Sequence, residues 1–324
     1  MKIREIYDLA IKLGIQKDPR DADFVTSLIN KENKKAAGLS EEERCEYDFE
    51  RLFNPYHDTR VLFGDPEQEV NTVLAGIDVE VEEILLADHL NSKGSKIDLV
   101  IAHHPEGKAL ANLYEVMHSQ EALMAKHGVP VNVAEGIMAE RIEEVKRGLL
   151  PQNHNRAVDA ARILNLPFMC VHSAADNHVS SYLQSLIEEK GPETLNDILK
   201  LLKSIPEYQG ATANAAPPAI FAGNEKNRAG KVLVMMAGGT SGSELIYEKL
   251  ALAGVGTVLV MHIPEKNREA AEKNHVNVIV AGHMASDSLG MNLFLDELEK
   301  RRVKVLTCSG LVRCKRFTNS KQEN

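Results

Sequence analysis

The first residues, MKIREIYDLAIKLGI, place Ile3, Ile6, Leu9, Ala10 and Leu13 at spacings of three and four, which predicts an amphipathic helix packed on a core. From Asp18 to Glu50 the chain is charged, through KENKK and SEEER, and reads as surface helices with solvated faces. The pattern then changes. RVLFGDP, VNTVLAGID, IDLVIAHHP, PFMCVHS, KVLVMMAGG, TVLVMH, VNVIVAGH and VKVLTCS are short, β-branched apolar runs, and they alternate with helical segments such as VEEILLADHL, RAVDAARILN and MNLFLDELEKRR. Buried strands alternating with helices predict an α/β fold of two α/β lobes, with mainly parallel sheets flanked by helices. Residues 206–230, PEYQGATANAAPPAIFAGNEKNRAG, are rich in Ala, Pro, Gly and Asn and are expected to link an N-terminal lobe over 1–205 to a C-terminal lobe over 231–324. The polar tail after Arg313 is expected to fray. No fixed-period repeat is visible.

Length and composition narrow the class. A chain of 324 residues is long enough for about two globular units with real cores. Its 38 Lys+Arg against 47 Asp+Glu give a net charge of −9, which argues against a protein that grips nucleic-acid backbones. Four cysteines without a C-x-x-C pair fit the reducing cytoplasm. No apolar stretch approaches the ~18 residues of a membrane span, and the N-terminus lacks a signal-type apolar region, so neither membrane nor secretion is expected.

The histidines carry the chemistry. Of 12, five (His103, His104, His172, His262 and His283) stand at the carboxyl ends of strand-like runs, the edge where parallel sheets bind ligands. CVHSAADN and AGHMASDS share the form H-x-A-x-D, pairing His172 with Asp176 and His283 with Asp287; on a helix the fourth residue onward returns to the same face. His103 and His104 would point to opposite faces of a continuing strand, so they converge only if the strand stops, and Pro105 predicts that stop. Any one such histidine is ordinarily a packed or solvated residue. Together, neutral imidazoles and carboxylates from separate strand ends suit Zn, Mn, Fe or Co, and the set is large enough for two ions sharing a bridging group. Two features stay open. Gly238, Gly239, Thr240, Ser241 and Gly242 form either a tight turn needing positive φ or a cradle for a phosphate. His262 is either a general acid/base near the metals or a capped strand end. No G-x-S-x-G elbow is present, and Cys170 lies too deep in an apolar run to serve as a nucleophile.

The segment VLAGIDVEVEEILLADHLNSKGSKIDLVIAHHP, followed in order by VHSAAD, AGG and GHMASD, resembles the Nif-three-like (NGG-interacting-factor) dinuclear metal-centre family, also known as type 2 GTP cyclohydrolase I. The likeness covers roughly residues 60–110, 165–180 and 230–312. It implies that His103, His104, Asp176, His283 and Asp287 hold two divalent ions, with His172 in or beside the ligand set and Asp78 supporting it. It further implies a toroidal homohexamer and a metal-dependent hydrolase acting on a nucleotide such as GTP, or alternatively a non-catalytic metal-binding scaffold or partner-binding protein. The chain departs from the family in four places. Asp287 stands where Glu is usual, NHVSSYL after Asp176 lacks a Gly-x-Asn, and the N-terminal 55 residues lack the usual opening. Leu113–Asn155 forms an added helical region expected to cover or reshape the cavity.

Overall fold

A computed structural model describes residues 1–317; the end of the tail, 318–324, lies outside the described residues. The chain opens with α1 (Ile3–Gln16), α2 (Ala22–Ala37), α3 (Glu41–Glu46) and a 3-10 turn (Phe49–Leu52). Next come β1 (Arg60–Phe63), β2 (Thr72–Gly76), α4 (Val81–Ser92) and β3 (Leu99–Ala102). Five helices, α5 (Gly107–Ala111), α6 (Leu113–Val116), α7 (His118–Lys126), α8 (Val131–Leu149) and α9 (Arg156–Ile163), lead to β4 (Phe168–Cys170). After α10 (Ser173–Lys190), α11 (Leu195–Lys203) and α12 (Pro206–Ala213) the chain forms β5 (Ala219–Ala222), β6 (Lys231–Met235), α13 (Ile246–Leu252), β7 (Val255–Val260), α14 (Glu265–Lys273) and β8 (Asn277–Val280). It closes with α15 (His283–Lys300) and β9 (Lys304–Cys308).

The strands form two sheets of the same design, ordered β1-β4-β3-β2-β9 and β5-β8-β7-β6. The first has four parallel strands and the second three, and each carries one antiparallel edge strand. Even the irregularity repeats: the register slips between Val61 and Phe63 on β1 and between Ile220 and Ala222 on β5. A duplicated topology is therefore present without a repeated sequence, because burial of β-branched residues defines a strand and many sequences satisfy it.

All eight strands expected from the sequence form, and the mainly parallel two-sheet α/β architecture holds. Residues 206–230 contribute α12 and the edge strand β5, so this segment is part of the second lobe's framework. Pro217 and Pro218 gave it the look of a linker; proline cannot donate to a ladder, but it is tolerated beside an edge strand. At the other end, β9 returns to the first sheet and pairs parallel with β2, whose five residues are all buried. Residues 314–317 of the expected frayed tail are also engaged. Arg316 forms an ion pair with buried Glu207, beside Arg313 on Asp296 and Glu299.

The helix pair α10 and α15 lies between the sheets. Phe294, Leu295 and Leu298 of α15 join α1 and the first sheet in one core, whereas Val179, Leu183 and Ile187 of α10 join α11 and the second sheet in another. Each fully buried Leu, Ile or Phe contributes about 1.5–3 kcal/mol relative to exposure. The outer faces are covered by α4 and α9 on the first sheet and by α7, α8, α13 and α14 on the second. The added region 113–155 thus covers mainly the opposite lobe: Met117, Leu123, Met124 and Met138 pack with Leu233 and Ile246. The strand ends carrying the histidines consequently face one another across the starts of α10 and α15. No helix among the described residues is long and apolar enough to cross a membrane.

Candidate metal centre

The strand β3 stops at Ala102, and the backbone N–H groups of His103 and His104 bond to Gly76 O and Ile77 O at 2.8 and 3.0 Å. With regular alternation ended, the two rings turn toward the same space, their centroids 5.2 Å apart. His172 enters beside His103 at 4.9 Å, and His283 beside His104 at 5.1 Å.

Three of these imidazoles have one nitrogen tied down. His103 Nδ1 donates to Val171 O at 3.0 Å, His104 Nδ1 bonds Asp78 Oδ1 at 2.6 Å, and His172 Nδ1 bonds Asp58 Oδ2 at 2.8 Å. An acceptor at Nδ1 keeps the hydrogen there and leaves Nε2 free in the neutral ring, the arrangement that orients metal-binding histidines.

The carboxylates sit among those free nitrogens. Asp287 Oδ2 lies 3.4 Å from both His104 Nε2 and His283 Nε2, and its Oδ1 lies 3.6 Å from His103 Nε2. Asp176 Oδ1 lies 3.4 Å from His103 Nε2, and Oδ2 lies 3.8 Å from His172 Nε2. Asp287 is 0% exposed and His103 1%. Even so, His103 Nε2, Asp176 Oδ1 and both oxygens of Asp287 have no hydrogen-bond partner among the described residues. Burying unpaired polar atoms is costly. A divalent cation would satisfy these atoms at once, so the residues present fit a metal. The potential ligand atoms of His103, His104 and His172 lie within 4.8 Å of one another, as do those of His104, His283 and Asp287, and those of His103, Asp176 and Asp287.

The electrostatics agree with that need. Burial, reinforced by the nearby negative Asp287 and Asp58, holds the Asp176 carboxyl well above the usual range. Burial also opposes ionisation of Asp287, but His103, His104 and His283 outweigh it and hold that carboxyl low. Burial works against a charged His104 too, yet Asp287 and Asp78 raise it to about 9. His283 is pushed down to about 4, chiefly by burial.

His262 stands next to this group, its ring centroid 4.9 Å from His283 and its Nδ1 3.3 Å from Ser241 Oγ. Burial lowers its pKa. It occupies the position in the second sheet that His104 occupies in the first, each two residues past the strand residue paired with β8 or β4. The Gly238–Gly242 turn has positive φ at Gly238 and Gly239, as a tight turn requires. Its inner side is filled. The Gln120 carboxamide from α7 donates to Gly238 O at 2.9 Å and Thr240 O at 2.7 Å, while Gly239, Thr240, Ser241 and Gly242 line the open cleft beside His262 and His283.

Two participants escaped the sequence reading. Asp58 is fully buried and accepts from His172 and from Ser173 Oγ at 2.7 Å. Its only signal was an acidic residue just before an apolar run. Gln120 had no signal, because its partner turn is more than a hundred residues away.

No family model matches the chain, and no curated protein does. Among solved structures, a NIF3 superfamily protein from Sphaerobacter thermophilus is 31% identical, covering 79% of this chain and 92% of its own, with a TM-score of 0.69. An α/β protein with a buried His/Asp cluster between two sheets is thus joined to a defined family. The chain belongs to the NIF3 superfamily. Reduced HcgD from Methanocaldococcus jannaschii shares the fold, with a TM-score of 0.50 at 14% identity over 83% of this chain and 97% of that one. The family and the clustered side chains are consistent with a metal-binding protein.

Proposed function

We propose that this chain is a metal-dependent hydrolase acting on a nucleotide or related small molecule, with two divalent ions held by His103, His104, Asp176, His283 and Asp287. The observation that carries this reading is the set of four buried, unpartnered polar atoms on His103, Asp176 and Asp287. Two divalent ions there would supply Lewis-acid polarisation of a substrate oxygen and a more acidic water. Asp58, Asp78 and Val171 O fix the rings of His172, His104 and His103, so that their Nε2 atoms are aimed at one space before any ligand arrives. His262, kept neutral by burial, is placed to take up or return a proton at the cleft that it lines with His172, Asp176 and His283. The nucleotide class, with GTP as its named candidate, comes from the family resemblance.

A scaffold would close its metal site, whereas a catalytic site keeps an exchangeable position. His283 is 39% exposed on its side chain and faces the open cleft, which favours catalysis. The test is metal analysis of purified protein, then a nucleotide and phosphoester hydrolysis screen of wild type, His103→Ala and His283→Ala. Bound metal and hydrolysis are expected in wild type, both lost or reduced in the variants. Metal without hydrolysis would favour the scaffold; protein that takes up no Zn, Mn, Fe or Co would overturn both.

A further inference from the structure

Across the first turn of α10 from the histidine cluster lies a second, larger cleft of about 250 Å3, between α2, the 3-10 turn and the added helices α6 and α7. The clefts are neighbours: Ser173 and Asn177 line this one, Asp176 lines the other, and Ala237 borders both. Its walls carry Lys31, Arg51, His57 and His118 against the carboxylates Glu32 and Glu115.

The donors here differ in how far they are already used. His118 is paired with Glu121 at 3.1 Å. Arg51 is not committed in that way. Its Nη2 stands 3.6 Å from Glu32 Oε1, that carboxylate already accepts from Tyr47 at 2.8 Å, and the buried Arg51 Nε has no hydrogen-bond partner among the described residues. Lys31 is exposed on α2, and His57 is partly buried on the loop before β1. Burial first, then the charges of Arg51 and Arg60, push His57 down to about 4 against the opposing pull of Glu115 and Asp48, so its ring is neutral near pH 7 and offers an N–H rather than a charge. A planar guanidinium with a free Nε–H, an ammonium and an imidazole N–H, supplied by three separate segments, match an anion with several acceptor oxygens.

We propose that this cleft binds the phosphate of a phosphorylated small molecule, with Arg51 as the principal donor and Lys31 and His57 beside it. The role of that molecule as substrate rests on the hydrolase reading, with its reacting end reaching the histidine cluster past Ala237. The anion site itself does not depend on metal.

The experiment uses the full chain freed of metal with a chelator, and titrates inorganic phosphate and pyrophosphate by calorimetry and phosphorus NMR. Saturable binding is expected in wild type, weakened about ten-fold or more in Arg51→Met and less in Lys31→Ala, and unchanged in His104→Ala. Arg51→Lys, which keeps charge without the fork, should fall between wild type and Arg51→Met. If Arg51→Met does not fold, Arg51→Lys and Lys31→Ala decide by the same ordering. The proposal is overturned if wild type binds neither anion, if the Arg51 and Lys31 variants bind as wild type, or if binding is lost in His104→Ala. Failure of the hydrolysis screen with intact, Arg51-dependent binding would remove the substrate role and leave the anion site.

Discussion

His172 and His283 occupy positions one residue apart in the two halves of the fold: His172 immediately precedes α10, whereas His283 is the first residue of α15. Strand pairing fixes the comparison, because Val171 N bonds Ala102 O in the same way that Ala281 N bonds Val260 O. The place of His172 is taken in the second half by Gly282, at φ 108°, a conformation that suits glycine. One residue rotates a helical position by about 100°, so the two H-x-A-x-D segments, alike in sequence, face the cluster differently. His172 is buried against Asp58; His283 stays at the open side.

Asp58 should therefore govern metal affinity without being placed to bind metal. Asp58→Asn replaces the carboxylate that accepts from His172 Nδ1 and Ser173 Oγ, and frees the ring to turn or to change tautomer. Competition against a chromophoric chelator should show affinity reduced about 10–100-fold. The fold should lose about 1–3 kcal/mol in denaturant unfolding without metal. Unchanged affinity would mean that His172 takes no part in holding the ions.

How much of this was readable in the chain can be argued from the same residues. His103 and His104 were legible because Pro105 marks the strand end, and Asp176 and Asp287 because helical spacing links them to their histidines. The one-residue offset was not legible: it is set by where β4 and β8 stop relative to their neighbours, a property of pairing between distant segments. β5 was missed for a related reason, since APPAIFA has turn composition and becomes a strand only by lying antiparallel to β8. Gln120 filling the glycine turn depends on the added helices packing on the opposite lobe.

Acid should destabilise the metal-free protein in a defined window. His57 has an ordinary value of 6.5 and about 4 in the fold, through burial first and the Arg51 and Arg60 charges second. The unfolded chain then binds the extra proton, so this stability is present above about pH 6.5 and lost as pH falls toward 4. The loss is on the order of 2 kcal/mol. Urea unfolding at pH 7.5 and 4.5, in buffer free of phosphate, should show a smaller difference for His57→Gln than for wild type; an equal difference would assign the acid sensitivity elsewhere.

Gln120 should control the order of the turn beside His262. It is 3% exposed and supplies donors to Gly238 O and Thr240 O, while Arg141 Nε donates to Ser241 O at 3.1 Å. Gln120→Ala removes the side chain that fills the turn; a Cβ on Gly238 would stand only 2.6 Å from Gln120 Cγ. Amide hydrogen exchange across residues 236–245 should quicken, with about 1–3 kcal/mol lost in unfolding. Gln120→Glu should quicken it more, because a carboxylate faces two carbonyl oxygens without a donor. Exchange as slow as wild type in both would show that the turn is held by its own backbone.

The spacing of the two carboxylates depends on a glycine. A Cβ on Gly290 would stand 2.5 Å from Ala175 O and 3.0 Å from Ala175 C, backbone atoms that no rotamer change can move aside. Ala175 precedes Asp176 on α10, and Gly290 lies three residues after Asp287 on α15, so this contact sets how closely the helices bring the carboxylates together. Gly290→Ala should force the helices apart at a cost of about 1–3 kcal/mol. It should also lower metal affinity, although no metal-facing side chain has changed. Gly136→Ala, on α8 with open space around its Cβ, serves as the control and should be neutral or slightly stabilising. Thermal unfolding with and without chelator separates the two effects: both variants keep the metal-induced rise in Tm if the glycine matters only for packing, whereas Gly290→Ala alone loses part of that rise if the close approach of α10 and α15 shapes the site.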